Sequence, residues 1–259
     1  MPAAPRFLAI ETSTDTLSLA LGSGARSERA WTFQGPGGAN ASTTLLPQAQ
    51  ALLDQAGCTL RDLDAIVFGR GPGSFTGLRT ACAVAQGLAF GTRTAAHPHG
   101  LPVLAVDTLL TLAEQARADH AAEGVAVPRH IVALLDARMD EMYVAVHALA
   151  GETLVATTPP RLCAPADLAP WLAEEGLDAD HTLLAGNVFG VHGARLGGWT
   201  GARRHALPTA EALLRLAPGL LAAGAAVAAR DALPLYVRDK VAQTTDERER
   251  LRAAAPVAP

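Results

Sequence analysis

Leu17, Leu19 and Leu21 alternate with Ser18 and Ala20, a period of two that predicts a strand with one covered face. The apolar run Phe7 to Glu11 lies just ahead of it, across the turn-forming residues Thr12, Ser13, Thr14 and Asp15. A hairpin therefore opens the chain, and Arg26 to Phe33 is expected to add a third strand. After Gly35-Pro36-Gly37-Gly38 the period changes: Leu45, Leu46, Ala49, Leu52, Leu53 and Ala56 fall on one face of an amphipathic helix. Ser42 to Thr44 offer cap hydroxyls, Pro47 is expected in the first turn, and Gly57 ends the helix. Ala65 to Gly69 reads as a buried strand, followed by a glycine-rich loop and a helix over Phe75 to Phe90.

Further strands are expected at Val103 to Val106, Ile131 to Leu135, Met142 to His147 and Thr182 to Ala185. Helices are expected at Thr108 to Ala122, Ala166 to Glu175, Thr209 to Leu216 and Pro218 to Ala229, with Gly186, Gly190 and Gly193 in a loop. This predicts an α/β protein of two lobes, each mixing strands and helices, which suits a diverged duplication. The expected divisions are residues 1–105 for the first lobe, 106–230 for a smaller second lobe, 231–243 for a C-terminal segment and 244–259 for a disordered tail.

With 259 residues, 49% hydrophobic and 18% charged, the chain can bury a large core without disulfides or metals. A net charge of -4 argues against a protein that binds nucleic acid unaided, since that needs many phosphates neutralised. Cys58, Cys82 and Cys163 form no CxxC pair, as expected of a protein in a reducing cytosol. Leu216 to Ala229 is too short to span a bilayer, and Met1 to Arg6 has no basic segment followed by an apolar one.

Gly71-Pro72-Gly73-Ser74-Phe75-Thr76-Gly77-Leu78-Arg79 carries the most specific pattern. Glycines ahead of a helix can let backbone N–H groups crowd an anion, but the spacing excludes the known versions. Three residues rather than four separate Gly73 from Gly77, no Lys-Ser/Thr follows, and Gly77 is one residue late for a dinucleotide fingerprint. Pro72 replaces the first glycine of a nucleophile elbow around Ser74. A tight turn that needs glycines for close packing is the competing explanation. The helix that follows, with Gly77, Ala81, Ala85 and Ala89 at four-residue spacing, is small or apolar nearly all round and must be covered on more than one side.

Other clusters have bland explanations. His97-Pro98-His99 lacks further ligands for a metal, and Arg203-Arg204-His205 reads as a solvated loop. Asp136, Asp140 and Glu141 read as a polar hairpin turn with Arg138 as counter-charge. Glu11, Thr12, Ser13 and Thr14 end a strand where a carboxylate and successive N–H groups can hold magnesium and phosphate; an ordinary Ser/Thr turn is equally open there.

Together, Leu8-Ala9-Ile10-Glu11-Thr12-Ser13, the loop Gly69 to Arg79, the hairpin Asp136 to Tyr143, Asp107-Thr108-Leu109 and Pro234-Leu235-Tyr236-Val237-Arg238 resemble the TsaB family, formerly YeaZ, over about Arg6 to Val241. The resemblance implies an actin-like ATPase fold and a role in forming threonylcarbamoyladenosine beside the anticodon of tRNAs that read codons beginning with A. In that family the protein is a non-catalytic partner of the paralogous transferase TsaD, joined by the small ATPase TsaE, with tRNA met only through the complex and no cofactor of its own. The HxxxH metal motif of the catalytic paralogue is missing from this sequence.

By the same resemblance, the helices over Thr44 to Gly57 and Phe75 to Phe90 build the partner interface. The expected contacts are Leu45, Leu46, Ala49, Leu52 and Leu53 on the first, and Phe75, Thr76, Leu78, Arg79, Ala81, Val84, Ala85 and Leu88 on the second. Glu11, Thr12, Ser13 and Thr14 would be a vestigial nucleotide loop. The family often has a histidine shortly before its Leu-Leu-Pro; Ala41 to Thr44 holds none. Alone, the chain is expected to self-associate through the same face; Ala81→Arg should break pairing without unfolding if only a partner covers that face, whereas an aggregated variant would mark an internal core helix. The rival readings are a nucleotide-dependent actin-like enzyme and a metallopeptidase-like protein acting on its paralogue.

Overall fold

The computed structural model describes residues 4–25, 28–95 and 98–238; the expected tail 244–259 and the end of the 231–243 segment lie outside them. Strands β1 (Phe7–Glu11), β2 (Thr16–Gly22) and β3 (Trp31–Pro36) form an antiparallel meander, with Ala9 opposite Ala20 and Leu19 opposite Phe33. Helix α1 (Ala41–Ala56) follows, then β4 (Ala65–Gly71), α2 (Phe75–Gly91) and β5 (Val103–Asp107). Strands β4 and β5 are parallel to β1, which gives the order β3-β2-β1-β4-β5.

Helix α3 (Thr108–Ala122) leads into β6 (His130–Arg138), β7 (Glu141–Ala150), β8 (Thr153–Ala156), β9 (Arg161–Cys163), α4 (Leu168–Glu174), β10 (Thr182–Gly186), the single turn α5 (Phe189–His192), β11 (Arg203–His205) and α6 (Ala210–Ala222). The second sheet runs β11-β10-β6-β7-β8, with β9 also on β7. Its meander β6-β7-β8 and its parallel strands β10 and β11 repeat the first sheet's plan strand for strand. Two copies of this ribonuclease H-like order make the actin-like fold, and the duplication expected from the mixed lobes is visible in the topology.

Strand alternation decides the layers. Leu8, Ile10, Leu17, Leu19, Ile66 and Phe68 face α1 and α2, whereas Phe7, Ala9, Ala20, Ala65, Val67 and Leu104 face α6. In the second sheet Ile131, Ala133, Leu135 and Tyr143 lie under α3, and Val132, Leu134, Met142 and Val144 under Trp171 of α4. Because α3 also packs on α6, these two helices form the middle layer between the sheets. Helix α6, assigned by sequence position to the second lobe, thus belongs to the first sheet's covering.

Several expected boundaries move, for local reasons. The third strand begins at Trp31 because its partner β2 ends at Gly22 and Trp31 pairs with Leu21. Helix α1 runs straight on from the 3-10 turn Gly38–Asn40, so Ser42 to Thr44 lie inside it and Pro47 falls in its second turn. Thr43 and Pro47 are exposed, which leaves the carbonyl deprived of its helical donor open to water. The two expected C-terminal helices are one, α6, with Pro218 inside it. The Leu214 carbonyl, to which residue 218 cannot donate, is instead covered by Gly24, where a Cβ would overlap it. Strands β8, β9 and β11 were not expected: they are short and largely exposed, and are held by the long β7 and by β10 rather than by their own burial. The loop expected around Gly186, Gly190 and Gly193 contains α5.

Among the described residues no helix is long and apolar enough to cross a membrane. The second core instead holds a histidine. His147 on β7 is buried and its Nδ1 has no hydrogen-bond partner. Burial drives its imidazole down to about 4, opposed by a hydrogen bond with the Ile131 backbone. The unfolded chain takes up this proton near 6.5 and the folded chain only near 4. Stability is therefore full above about pH 6.5 and is lost as pH falls through that window, by about 2 kcal/mol between pH 7 and 5. Urea unfolding of the wild type and His147→Leu at both pH values should show the variant lacking this loss; equal losses would contradict it. Taking the difference between the two proteins removes the opposite slope from Glu11, whose carboxyl burial raises.

Candidate functional site

Strand β4 and helix α2 are joined by the glycine loop, and the loop closes on the β1–β2 turn. A Cβ on Gly69 would overlap the Glu11 carboxylate, one on Gly73 would lie 2.5 Å from the Ser13 carbonyl oxygen, and one on Gly77 would overlap the Thr12 carbonyl oxygen. The Thr12 hydroxyl donates to the Gly77 carbonyl at 2.8 Å, and the Ser74 N–H donates to the Ser13 carbonyl at 2.8 Å. Gly71, at φ +118°, admits the Leu235 carbonyl. Close packing, the competing explanation for the glycines, accounts for each of these positions.

Glu11, Thr12 and Ser13 are all buried by this contact, and Thr14 is half-buried. Glu11 Oε1 accepts the Ser13 N–H at 2.6 Å, while Glu11 Oε2 and Ser13 Oγ have no partner in the structure. Burial raises the Glu11 carboxyl, against the hydrogen bond from Ser13. The four residues read as a vestigial nucleotide loop therefore form a turn already covered by backbone; the Thr14 hydroxyl accepts the Thr16 N–H, and exposed Asp15 faces the cleft that separates this turn from the β6–β7 turn of the second sheet.

Across that cleft stands the β6–β7 turn, in which Arg138, Met139 and Asp140 all have positive φ near 60°. Arg138 bonds Asp15 at 2.9 Å, tying the two sheets' turns together. The acidic residues here are matched one by one: Asp136 by buried His192 at 3.2 Å, Asp140 by Arg195 at 2.8 Å and Glu141 by Arg238 at 2.6 Å. The hydrogen bond from Arg195 holds the Asp140 carboxyl below its ordinary value. Arg195 also reaches His192 Nδ1 at 2.9 Å, so this nitrogen accepts and Nε2 donates to Asp136. A hairpin turn with counter-charges is what the sequence suggested; His192 and Arg195, some 55 residues away in the chain, gave no signal of their part in it.

Among the described residues no group of three or more His, Cys, Asp or Glu is placed to hold a metal; His97 lies outside them. Arg203-Arg204-His205 is not a loop but strand β11, and Arg204 pairs with Glu123 and donates to His120.

The interface residues divide sharply between two faces. Leu45, Ala49, Leu52 and Leu53 of α1 and Ala81 and Ala85 of α2 are buried in the core over the first sheet, and Leu78 is buried beside Gly71, so this chain itself covers them. The reason is geometric: the four-residue spacing of Ala81, Ala85 and Ala89 follows the side of α2 that lies on β4 and β1. Leu46 is 49% exposed, Thr76 and Arg79 are exposed, and Phe75, Val84 and Leu88 are half-buried. Exposed Ala83, Gly87 and Phe90, which the sequence reading omitted, continue that outer face with Thr76 and Thr80. It has small side chains in the middle and an aromatic ring at its end.

A strap from the C-terminal segment borders this face. Cys82 and Gln86 of α2 bond the Ala232 carbonyl, and the Leu235 N–H donates to the Arg70 carbonyl at 2.7 Å. Tyr236 stacks on Phe75 with ring centres 4.6 Å apart, and Arg79 lies over both rings. The strap ends on the cleft, where Arg238 meets Glu141 and the Arg138 carbonyl.

A family model described as TsaD, tRNA N6-adenosine threonylcarbamoyltransferase, matches residues 38–196. The tRNA threonylcarbamoyladenosine biosynthesis protein TsaB of Escherichia coli is 31% identical over 262 aligned positions, covering 92% of this chain and 96% of that protein. Its Haemophilus influenzae counterpart is 43% identical over 99 residues, 38% of this chain and 36% of that protein. The solved structure of YeaZ from Pseudomonas aeruginosa superposes with a TM-score of 0.72 at 36% identity, over 90% of this chain and 99% of that one. With the doubled five-strand topology, the glycine loop seated on the first turn and a relative aligned along nearly its whole length, the chain belongs to the TsaB (YeaZ) family.

Proposed function

We propose that this chain is the non-catalytic subunit that docks on a TsaD-type transferase and is needed to form threonylcarbamoyladenosine in tRNA. The observation that carries it is the outer face of α2: Thr76, Thr80, Ala83 and Gly87 let a second helix approach closely, with Leu46, Arg79 and Phe90 around them. Small residues on an exposed helix contribute little to this chain's own core, and they suit a partner's helix laid across them. The packed turn at Thr12 and Ser13 supports a non-catalytic role, because the Thr12 hydroxyl already bonds the Gly77 carbonyl, the Ser13 N–H already bonds Glu11, and the turn is buried under the glycine loop. A TsaE-type ATPase joins the larger assembly, and tRNA is met only through the complex, in keeping with the net charge of -4.

Reconstitution tests this. A tRNA transcript is incubated with threonine, bicarbonate, ATP, the adenylate-forming synthase, the TsaD-type transferase and the TsaE-type ATPase, with and without this chain, and the modified nucleoside is measured. Omitting the chain should stop modification, and the chain without the transferase should yield none. Undiminished modification in its absence would refute the proposal.

A further inference from the structure

On the side away from the cleft, α3, β8 and α6 line an open cavity of about 430 Å³, within the range that small organic ligands occupy. Leu110, Leu154, Leu216 and Leu220 make its apolar wall, and Arg117 and Arg215 its polar end. Glu114, 3% exposed, accepts from Arg117 Nε at 2.7 Å, from Arg117 NH2 at 2.8 Å and from Arg215 Nε at 2.9 Å. Arg215 NH2 donates to Gln115 Oε1 at 2.8 Å. Two guanidinium groups thus share one buried carboxylate, and neither NH1 group has an acceptor among the described residues. Glu152, exposed on the rim and felt by Arg117, brings the formal charge of the lining to zero, so what the wall offers is guanidinium N–H donors rather than net charge. Guanidinium N–H groups without an acceptor recognise a carboxylate, and the leucines beside them attract hydrocarbon.

We propose that this cavity binds a small organic carboxylate with an apolar tail. The site is independent of the partner-binding reading, since it lies among α3, β8 and α6 rather than on α2. Sodium octanoate serves as the probe, with 1-octanol as the uncharged control and acetate as the tailless one, each titrated against the full chain by calorimetry and thermal unfolding. Octanoate should bind saturably and raise Tm, 1-octanol should bind at least about tenfold more weakly, and acetate should have no effect. Gly219 lines the cavity and a Cβ there meets nothing within 4 Å, so Gly219→Phe should fold normally and lose octanoate binding. Arg215→Gln should weaken octanoate about tenfold and leave 1-octanol unchanged, a check that holds whatever the behaviour of the phenylalanine variant. Equal binding of octanoate and 1-octanol, no saturable binding by the wild type, or full octanoate binding by a folded Gly219→Phe would each overturn the proposal.

Discussion

Gly77→Ala should destabilise the protein by about 3 kcal/mol or more, although it adds one methyl group to a helix. In a helix interior alanine is ordinarily favoured over glycine by up to about 1 kcal/mol. Here the new Cβ would overlap the backbone carbonyl of Thr12, which cannot swing aside as a flexible side chain can. To make room, the start of α2 must lift from the β1–β2 turn. That movement strains the Thr12 to Gly77 hydrogen bond and the Ser74 to Ser13 one, both in buried surroundings where a lost partner is costly. Gly87→Ala is the matched control: its Cβ meets nothing within 4 Å on the exposed side of the same helix, so a gain of about 0.5 to 1 kcal/mol is expected. Urea unfolding of the two variants beside the wild type decides the matter. A Gly77→Ala protein within about 1 kcal/mol of the wild type would mean that the loop does not sit on the turn in solution.

The same contact explains why the glycine loop was specific as a pattern yet ambiguous as chemistry. Gly69, Gly73 and Gly77 are spaced to clear Glu11, Ser13 and Thr12, some 60 residues earlier, and local sequence cannot reveal what lies opposite a glycine. Strands β1, β2 and β4 were legible because their burial is their own: alternation or continuous apolar residues set their faces. Helix α2 was legible as a helix but not in its orientation, since small residues lie on both sides, Ala81 and Ala85 inward and Ala83 and Gly87 outward. Leu78 on the inner side was the available signal, being bulkier than Thr80, Ala83 and Gly87 along the outer one. The strap at Pro234 to Arg238 was legible only as part of a family resemblance, because an extended segment held by carbonyl contacts and one ring stack has no periodicity to read.

Ala81→Arg and Ala83→Arg, two positions apart on α2, should fail in opposite ways. Ala81 is fully buried against the first sheet, so an arginine there must either bury an unpaired charge or force α2 off β4. A loss of about 4 kcal/mol or more is expected, a large share of the stability of an ordinary domain. Of the two outcomes the sequence left open, folding without pairing or loss of an internal core helix, the buried position of Ala81 selects the second. Ala83 points to solvent, where arginine is a good helix former and the fold should be unaffected. If α2's outer face receives a helix of the transferase, the long charged side chain sits at the point of closest approach and should weaken association by about 2 kcal/mol or more, roughly thirtyfold. Circular dichroism and urea unfolding report the first effect; calorimetric titration with the purified transferase reports the second. Folded Ala83→Arg that binds the transferase as tightly as the wild type would remove α2 from the interface and leave the small outer residues unexplained.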